Sequence, residues 1–270
     1  MKLGIGTYAF MWSIGFPGAE RTGSMDAFAL LAQARELGVS VVQFGPNMPL
    51  DLLPECDLVR LVQHANANGI VLEYGTRGID PDHLRKHITL ARRLASTLLR
   101  AVPEFEVGDV PPLSEIASQL RSVLPDLEKS KVRLAIENGN IPVAELARLI
   151  QDLNSPWIGI TLDTANSLAI PEGTRQVVQA LAPYVFSFHV KDFVVQRLWH
   201  RMGFVVEGRP AGEGQMDFQW IVEQLQQAGA DPNAILELWP PQQPELQDTI
   251  ALEHRWAAQS VQYLRKFLPN

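Results

Sequence analysis

The chain of 270 residues holds a single cysteine, Cys56, so no internal disulfide can form, and this usage fits a reducing cytoplasm. No run approaches the roughly 18 continuous apolar residues that a membrane-spanning helix needs. The start, MKLGIGTYAF, has one lysine followed by strand-like alternation, without the apolar core and small-residue cleavage site of a signal peptide. Lysine- and arginine-rich blocks are absent and the net charge is −7, which disfavours nucleic acid as a partner. A glycine-rich phosphate turn is also missing: GTYAFMW follows the first strand-like run and does not match G-x-G-x-x-G. No linker or low-complexity tract divides the chain, so one domain spanning 1–270 is expected.

Strand-like and helix-like segments alternate from end to end. The strand candidates are 3–8, 39–44, 70–74, 97–102, 132–137, 157–163, 185–190 and 234–238. The helix candidates between and after them are 25–37, 55–68, 80–95, 113–130, 142–152, 172–181, 217–228 and 246–266. Ser24 or Asp26 can cap the first helix, glycines 38 and 69 follow the first and second, and Asp80-Pro81 opens the third. Eight such units predict an α/β fold, a single (β/α)8 TIM barrel. Two long loops, 9–24 and 192–216, would overhang the C-terminal face. The first carries Phe10, Trp12 and Phe16, apolar surface for either a lid or a small core closing that barrel end.

Four ionisable residues sit at the ends of apolar runs: Glu137 in LAIEN, Asp163 in IGITLDTAN, His189 in FSFHVKD and Glu237 in AILELW. Ionisable groups rarely occupy buried strand ends without a partner. In a barrel these ends belong to adjacent strands five to eight and share one mouth, where one divalent cation would pair with all four. Three carboxylates and an imidazole suit Mn²⁺ first, with Mg²⁺, Co²⁺ or Zn²⁺ admissible.

In this order and spacing, IEN, LDTAN, FHVKD, GEG (212–214) and ELW resemble the xylose-isomerase-like TIM-barrel superfamily of sugar and sugar-phosphate isomerases and epimerases. The resemblance implies that Glu137, Asp163, His189 and Glu237 are metal ligands, and that the two glutamates are a proton-transfer pair. It implies a metal-dependent isomerase or epimerase acting through an enediolate on a sugar, sugar phosphate or sugar acid. Ketohexose 3-epimerases carry a histidine, an arginine and an acid where this chain has Asn166, Val195 and Val143, which disfavours a free ketohexose.

Lys191 follows a ligand and could hold an anion or protonate an enolate, with a salt bridge to Asp192 as the plainer reading. Arg100, ending strand four in LLRAV, is a second anion anchor unless an acid such as Glu73 or Glu137 pairs with it. Glu73, ending strand three in LEYGT, Gln43 on the second strand, and His200, in the loop after strand seven, are further pocket candidates. Two cations near a metal favour an anionic carbohydrate, and loss of CO₂ from a β-keto acid yields the same enediolate as proton abstraction. LGIGTYAFMWSIGFPG (3–18) is also similar to decarboxylases acting on 3-oxo sugar acids of the isoapionate type, which makes a lyase the alternative. An abasic-site endonuclease would need a histidine-rich multi-zinc cluster, and only His189 falls at a strand end. A non-catalytic sugar-binding barrel would leave the intact glutamate pair unexplained. His83 and His87 read as a solvated helix face, and exposed aromatics such as Trp199 could serve a homo-oligomer interface.

Overall fold

Apolar runs of four to seven residues become parallel strands because both of their faces are covered, inside by one another and outside by helices. In a computed structural model of the chain, which describes residues 1–16, 25–104 and 109–268, eight strands close into a barrel. They are β1 (Leu3–Gly6), β2 (Val41–Phe44), β3 (Val71–Arg77), β4 (Leu98–Val102), β5 (Arg133–Glu137), β6 (Ile158–Asp163), β7 (Val185–Val190) and β10 (Asn233–Leu236). The order around the barrel is β1-β10-β7-β6-β5-β4-β3-β2, every pair parallel. This is the expected (β/α)8 TIM barrel.

The outer ring consists of α2 (Ala27–Leu37), α3 (Glu55–Ala67), α4 (Pro81–Arg93), α5 (Leu113–Ser130), α6 (Val143–Leu153), α7 (Thr174–Leu181), α8 (Phe218–Gln227) and α9 (Leu246–Leu264). Helical spacing aims one apolar stripe of each at the strands; on α6 it is Val143, Leu146, Leu149, Ile150 and Leu153. Asp26 caps α2 by accepting from the Ala29 amide at 2.8 Å, and Gly38 ends it in the left-handed region. Ser24, the other cap candidate, lies outside the described residues. Asp80 caps α4 through the amides of Asp82 and His83, with Pro81 at the first helical position. No helix among the described residues is long and apolar enough to cross a membrane.

The sequence reading needs correction in three places. The segment 192–216 is not an open loop: β8 (Asp192–Arg197) and β9 (Phe204–Arg209) pair antiparallel as a hairpin above the barrel. FVVQ and FVVE each carry the β-branched residues of a strand. Glu73 and Arg100 lie within β3 and β4, not at their ends, and Glu237 is the first residue beyond β10. The histidines of α4 are not a solvated face. His87 is buried, shares a 2.8 Å hydrogen bond with the Tyr74 hydroxyl, and is pushed down to about 4, chiefly by burial. Position 87 falls on the inward stripe with Leu84, Ile88 and Ala91, so the helix period carries it to the strands.

Between β1 and α2, the described residues make a 3-10 turn (Thr7–Phe10) and a short helix, α1 (Met11–Ile14). Glu253 of α9, fully buried, accepts from the amides of Trp12 and Ser13 at 2.8 and 3.1 Å and from the Ser13 hydroxyl at 2.7 Å. Phe10 is buried against His254, and Trp12 meets Phe16 edge-on. Glu253 and His254 thus hold this segment to α9, while Tyr8 and Met11 from the same segment line the cavity.

Candidate metal centre and substrate cavity

The C-terminal mouth opens into a cavity of about 670 Å³. Glu137, Lys191 and Glu237 line it, as do Arg100, Asn166 and Arg77, and Trp239 and Leu238 supply apolar wall. Glu137 and Asp163 are the last residues of β5 and β6, and Asp163 pairs in register with His189 on β7. Parallel pairing thus sets Asp163 and His189 at one level, and Glu137, in register with Thr161, converges on the same centre from the next strand. Ligand atoms of Glu137, Asp163 and His189 all lie within 4.8 Å of one another, and all three residues are buried. Glu237 approaches with Oε1 3.4 Å from His189 Nδ1, which also stands 3.6 Å from Glu137 Oε2 and 3.8 Å from Asp163 Oδ2.

His189 presents the correct nitrogen for a ligand. Its Nε2 lies 2.7 Å from the Gln43 amide oxygen, which can only accept, so Nε2 carries hydrogen in either tautomeric or charged form. The Gln43 amide is held that way round because its NH₂ donates to Glu73 Oε2 at 2.9 Å and to the Ser187 hydroxyl at 3.3 Å. Asn233 donates to the other Glu73 oxygen at 2.7 Å. Glu73 is thus a buried brace beneath the site, and it does not line the cavity. His189 Nδ1 has no hydrogen-bond partner although fully buried. A buried ring nitrogen facing three carboxylates fits a divalent cation and is costly without one. Burial opposes a charged imidazole, but Glu237 and Glu137 outweigh it and push His189 up to about 9.

The cations are arranged around these carboxylates. Arg100 Nε donates to Glu137 Oε2, and Asn166 Nδ2 donates to Glu137 Oε1 at 2.7 Å. Burial would raise the Glu137 carboxyl, yet Arg100 with His189 and Lys191 holds it well below the usual range. Gly75 permits the Arg100 approach, because a Cβ there would stand 3.1 Å from Arg100 Cδ. The Lys191 ammonium lies 2.8 Å from Asp163 Oδ2, 2.9 Å from Glu237 Oε2 and 3.3 Å from Asn166 Oδ1. Burial penalises its charge, but Asp163 and Glu237 dominate and raise it above the ordinary lysine value. Asp163 Oδ1 meanwhile accepts from the amides of Ala165 and Asn166, both at 2.8 Å, which turns Oδ2 toward the centre.

Asp192 does not pair with Lys191. Its carboxylate accepts from the amides of Gly212, Gly214, Met216 and Phe193 at 2.8 to 3.1 Å and so pins the GEG turn to the foot of the hairpin. Gly214 is required there, since a Cβ would fall 2.0 Å from Asp192 Oδ1. His200 stands exposed at the hairpin tip beside Trp199, away from the cavity lining. Among the cavity residues that escaped the sequence reading are Arg77, the last residue of β3, Tyr8, Glu104 and Asn140. An arginine ending a strand-like run is the signal that would have marked the first.

This fold and site define a class. The chain belongs to the xylose isomerase-like TIM barrel family, whose model matches residues 31–267. Among curated proteins it is 31% identical over 265 residues to the 3-oxo-isoapionate decarboxylase of Pectobacterium atrosepticum, covering 98% of this chain and 95% of that one. It is 27% identical over 115 residues to the L-ribulose-5-phosphate 3-epimerase UlaE of Escherichia coli, covering 41% of this chain and 38% of that protein. A crystal structure of D-psicose 3-epimerase in the presence of D-fructose superposes with a TM-score of 0.75 at 14% identity, each chain covered completely.

Proposed function

We propose that the protein is a divalent-metal-dependent carboxy-lyase that removes CO₂ from a 3-oxo sugar acid. Glu137, Asp163, His189 and Glu237 would hold the ion, with Mn²⁺ favoured by the oxygen-rich set. When bound, the ion supplies positive charge beside the oxygens on which negative charge develops. The observation that carries the reading is the engagement of Glu137. Arg100 and Asn166 occupy its two oxygens, which suits a fixed ligand better than a base that must meet a C–H proton. Decarboxylation needs no base: the C–C bond breaks, its electron pair enters the enolate, and one proton must then be delivered to carbon. Lys191 lines the cavity beside Asp163 and Glu237, and its ammonium is the group placed to deliver that proton. The match over nearly the whole chain with a decarboxylase of 3-oxo-isoapionate supports the same chemistry.

A second reading, sugar or sugar-phosphate epimerisation, is favoured by the cavity position of both Glu137 and Glu237, a pair that could move a proton between two faces of one carbon. Mn²⁺-loaded protein incubated with 3-oxo sugar acids in D₂O separates the two. Decarboxylation releases CO₂ and leaves one solvent deuteron on the carbon that lost it. Lys191→Met should lower turnover by roughly 10²- to 10⁴-fold. Deuterium exchange into ketoses or their phosphates without CO₂ release would favour epimerisation and reject the lyase.

A further inference from the structure

The two cations that the sequence offers as anion anchors are both engaged by the ligand carboxylates: Arg100 by Glu137, and Lys191 by Asp163 and Glu237. Arg77 is placed differently. It lines the same cavity and pairs in register with Val102, two residues beyond the Gly75–Arg100 level. With a strand rise of about 3.3 Å per residue, its backbone stands roughly 6–7 Å nearer the mouth than that level. Gly75 and Arg77 share a face of β3, so the chain presents the guanidinium to the cavity above the ion site.

Among the described residues Arg77 forms no ion pair. Its one hydrogen bond runs from Nη1 to the Glu104 carbonyl at 3.5 Å, the weak limit of such contacts. The Glu104 carboxylate, also on the cavity wall, accepts from Asn140 Nδ2 at 3.1 Å through each oxygen.

Arg77, Arg100 and Lys191 line the cavity together with Glu104, Glu137 and Glu237, and of these cations Arg100 and Lys191 are taken up by the carboxylates of the ion site.

We propose that Arg77 forms the subsite for a substrate carboxylate, gripping it through the planar guanidinium fork, so that the cavity selects a sugar acid over a neutral sugar. The proposal rests on the reading of this cavity as a carbohydrate site, but not on which reaction follows.

The test is binding, measured by calorimetry on Mn²⁺-loaded protein with three ligands of equal chain length that cannot lose CO₂: an aldonate, the matching polyol and the matching polyol phosphate. The wild type should bind the aldonate roughly 10- to 100-fold tighter than the polyol. Arg77→Gln should remove that preference while leaving polyol affinity unchanged. Arg77→Lys, which keeps the charge without the fork, should retain part of it and serves if the glutamine variant does not fold. Equal or undetectable binding of aldonate and polyol, or a preference untouched by either variant, overturns the proposal. Tighter Arg77-dependent binding of the phosphate overturns its carboxylate assignment. Absence of CO₂ release with an intact Arg77-dependent preference would reject the lyase reading alone.

Discussion

Gln43 determines how His189 enters the centre, although it touches no carboxylate of the ion site. Its oxygen accepts from Nε2 at 2.7 Å while its NH₂ is tied to Glu73 and Ser187, so Nδ1 is the nitrogen left facing inward. Gln43→Leu removes that acceptor, and the ring gains freedom to rotate or to present its other nitrogen. Partners of this kind typically contribute 10- to 100-fold in metal affinity. Calorimetric titration of Mn²⁺ should show a loss of that size in Gln43→Leu, with a smaller loss in Glu73→Gln, where Gln43 keeps a partner. Unchanged affinity in Gln43→Leu would remove the orienting role. The ligands themselves were legible from sequence because charge at the end of a buried run is anomalous on its own. The brace was not, since Gln43 and Glu73 meet through the β2–β3 register and reach Ser187 and His189 only across the closed barrel. Lys191 and Arg100 were visible as cations near the site, but their partners depend on strand register that no local pattern encodes.

Among the elements, α1 is held in position by a buried ionisable group of α9. Burial pushes the Glu253 carboxyl from its ordinary 4.5 up to about 7, although Ser13 and the Trp12 and Ser13 amides all favour its charge. The folded-state value exceeds the unfolded one, so the neutral acid stabilises the fold fully below about 4.5, and that contribution is lost as pH rises through 7. The whole effect is about 3 kcal/mol at most. Glu253→Gln carries no charge to bury, so its melting temperature relative to wild type should rise by several degrees between pH 5 and pH 8.5. A difference independent of pH would show that Glu253 does not titrate in this range. The barrel elements were legible because period and punctuation agreed, with most boundaries falling within a few residues. The hairpin was not, because its two short strands flank LWHRMG, and a count of eight barrel strands left no place for another pair.

At the scale of the molecule, the ion site links the ends of β5, β6 and β7 to the segment just after β10, four neighbours on one side of the barrel. Each donor sits on a different strand, so separation of these strands destroys the site, and an ion that binds it binds the folded state alone. Linkage then requires stabilisation by about 2.7 kcal/mol when the free ion is a hundredfold above its dissociation constant. For a chain of this size that corresponds to roughly 5–10 °C in melting temperature. Lys191 and Arg100 already offset part of the carboxylate repulsion, so the chain should stay folded after chelation and merely melt lower. Thermal melts with EDTA and with added Mn²⁺ test this, and Asp163→Asn with His189→Gln should abolish the difference without unfolding the barrel. A Mn²⁺-dependent shift that survives the double substitution would place the ion elsewhere. No shift in the wild type would contradict the metal centre itself, and with it the chemistry proposed for the cavity above.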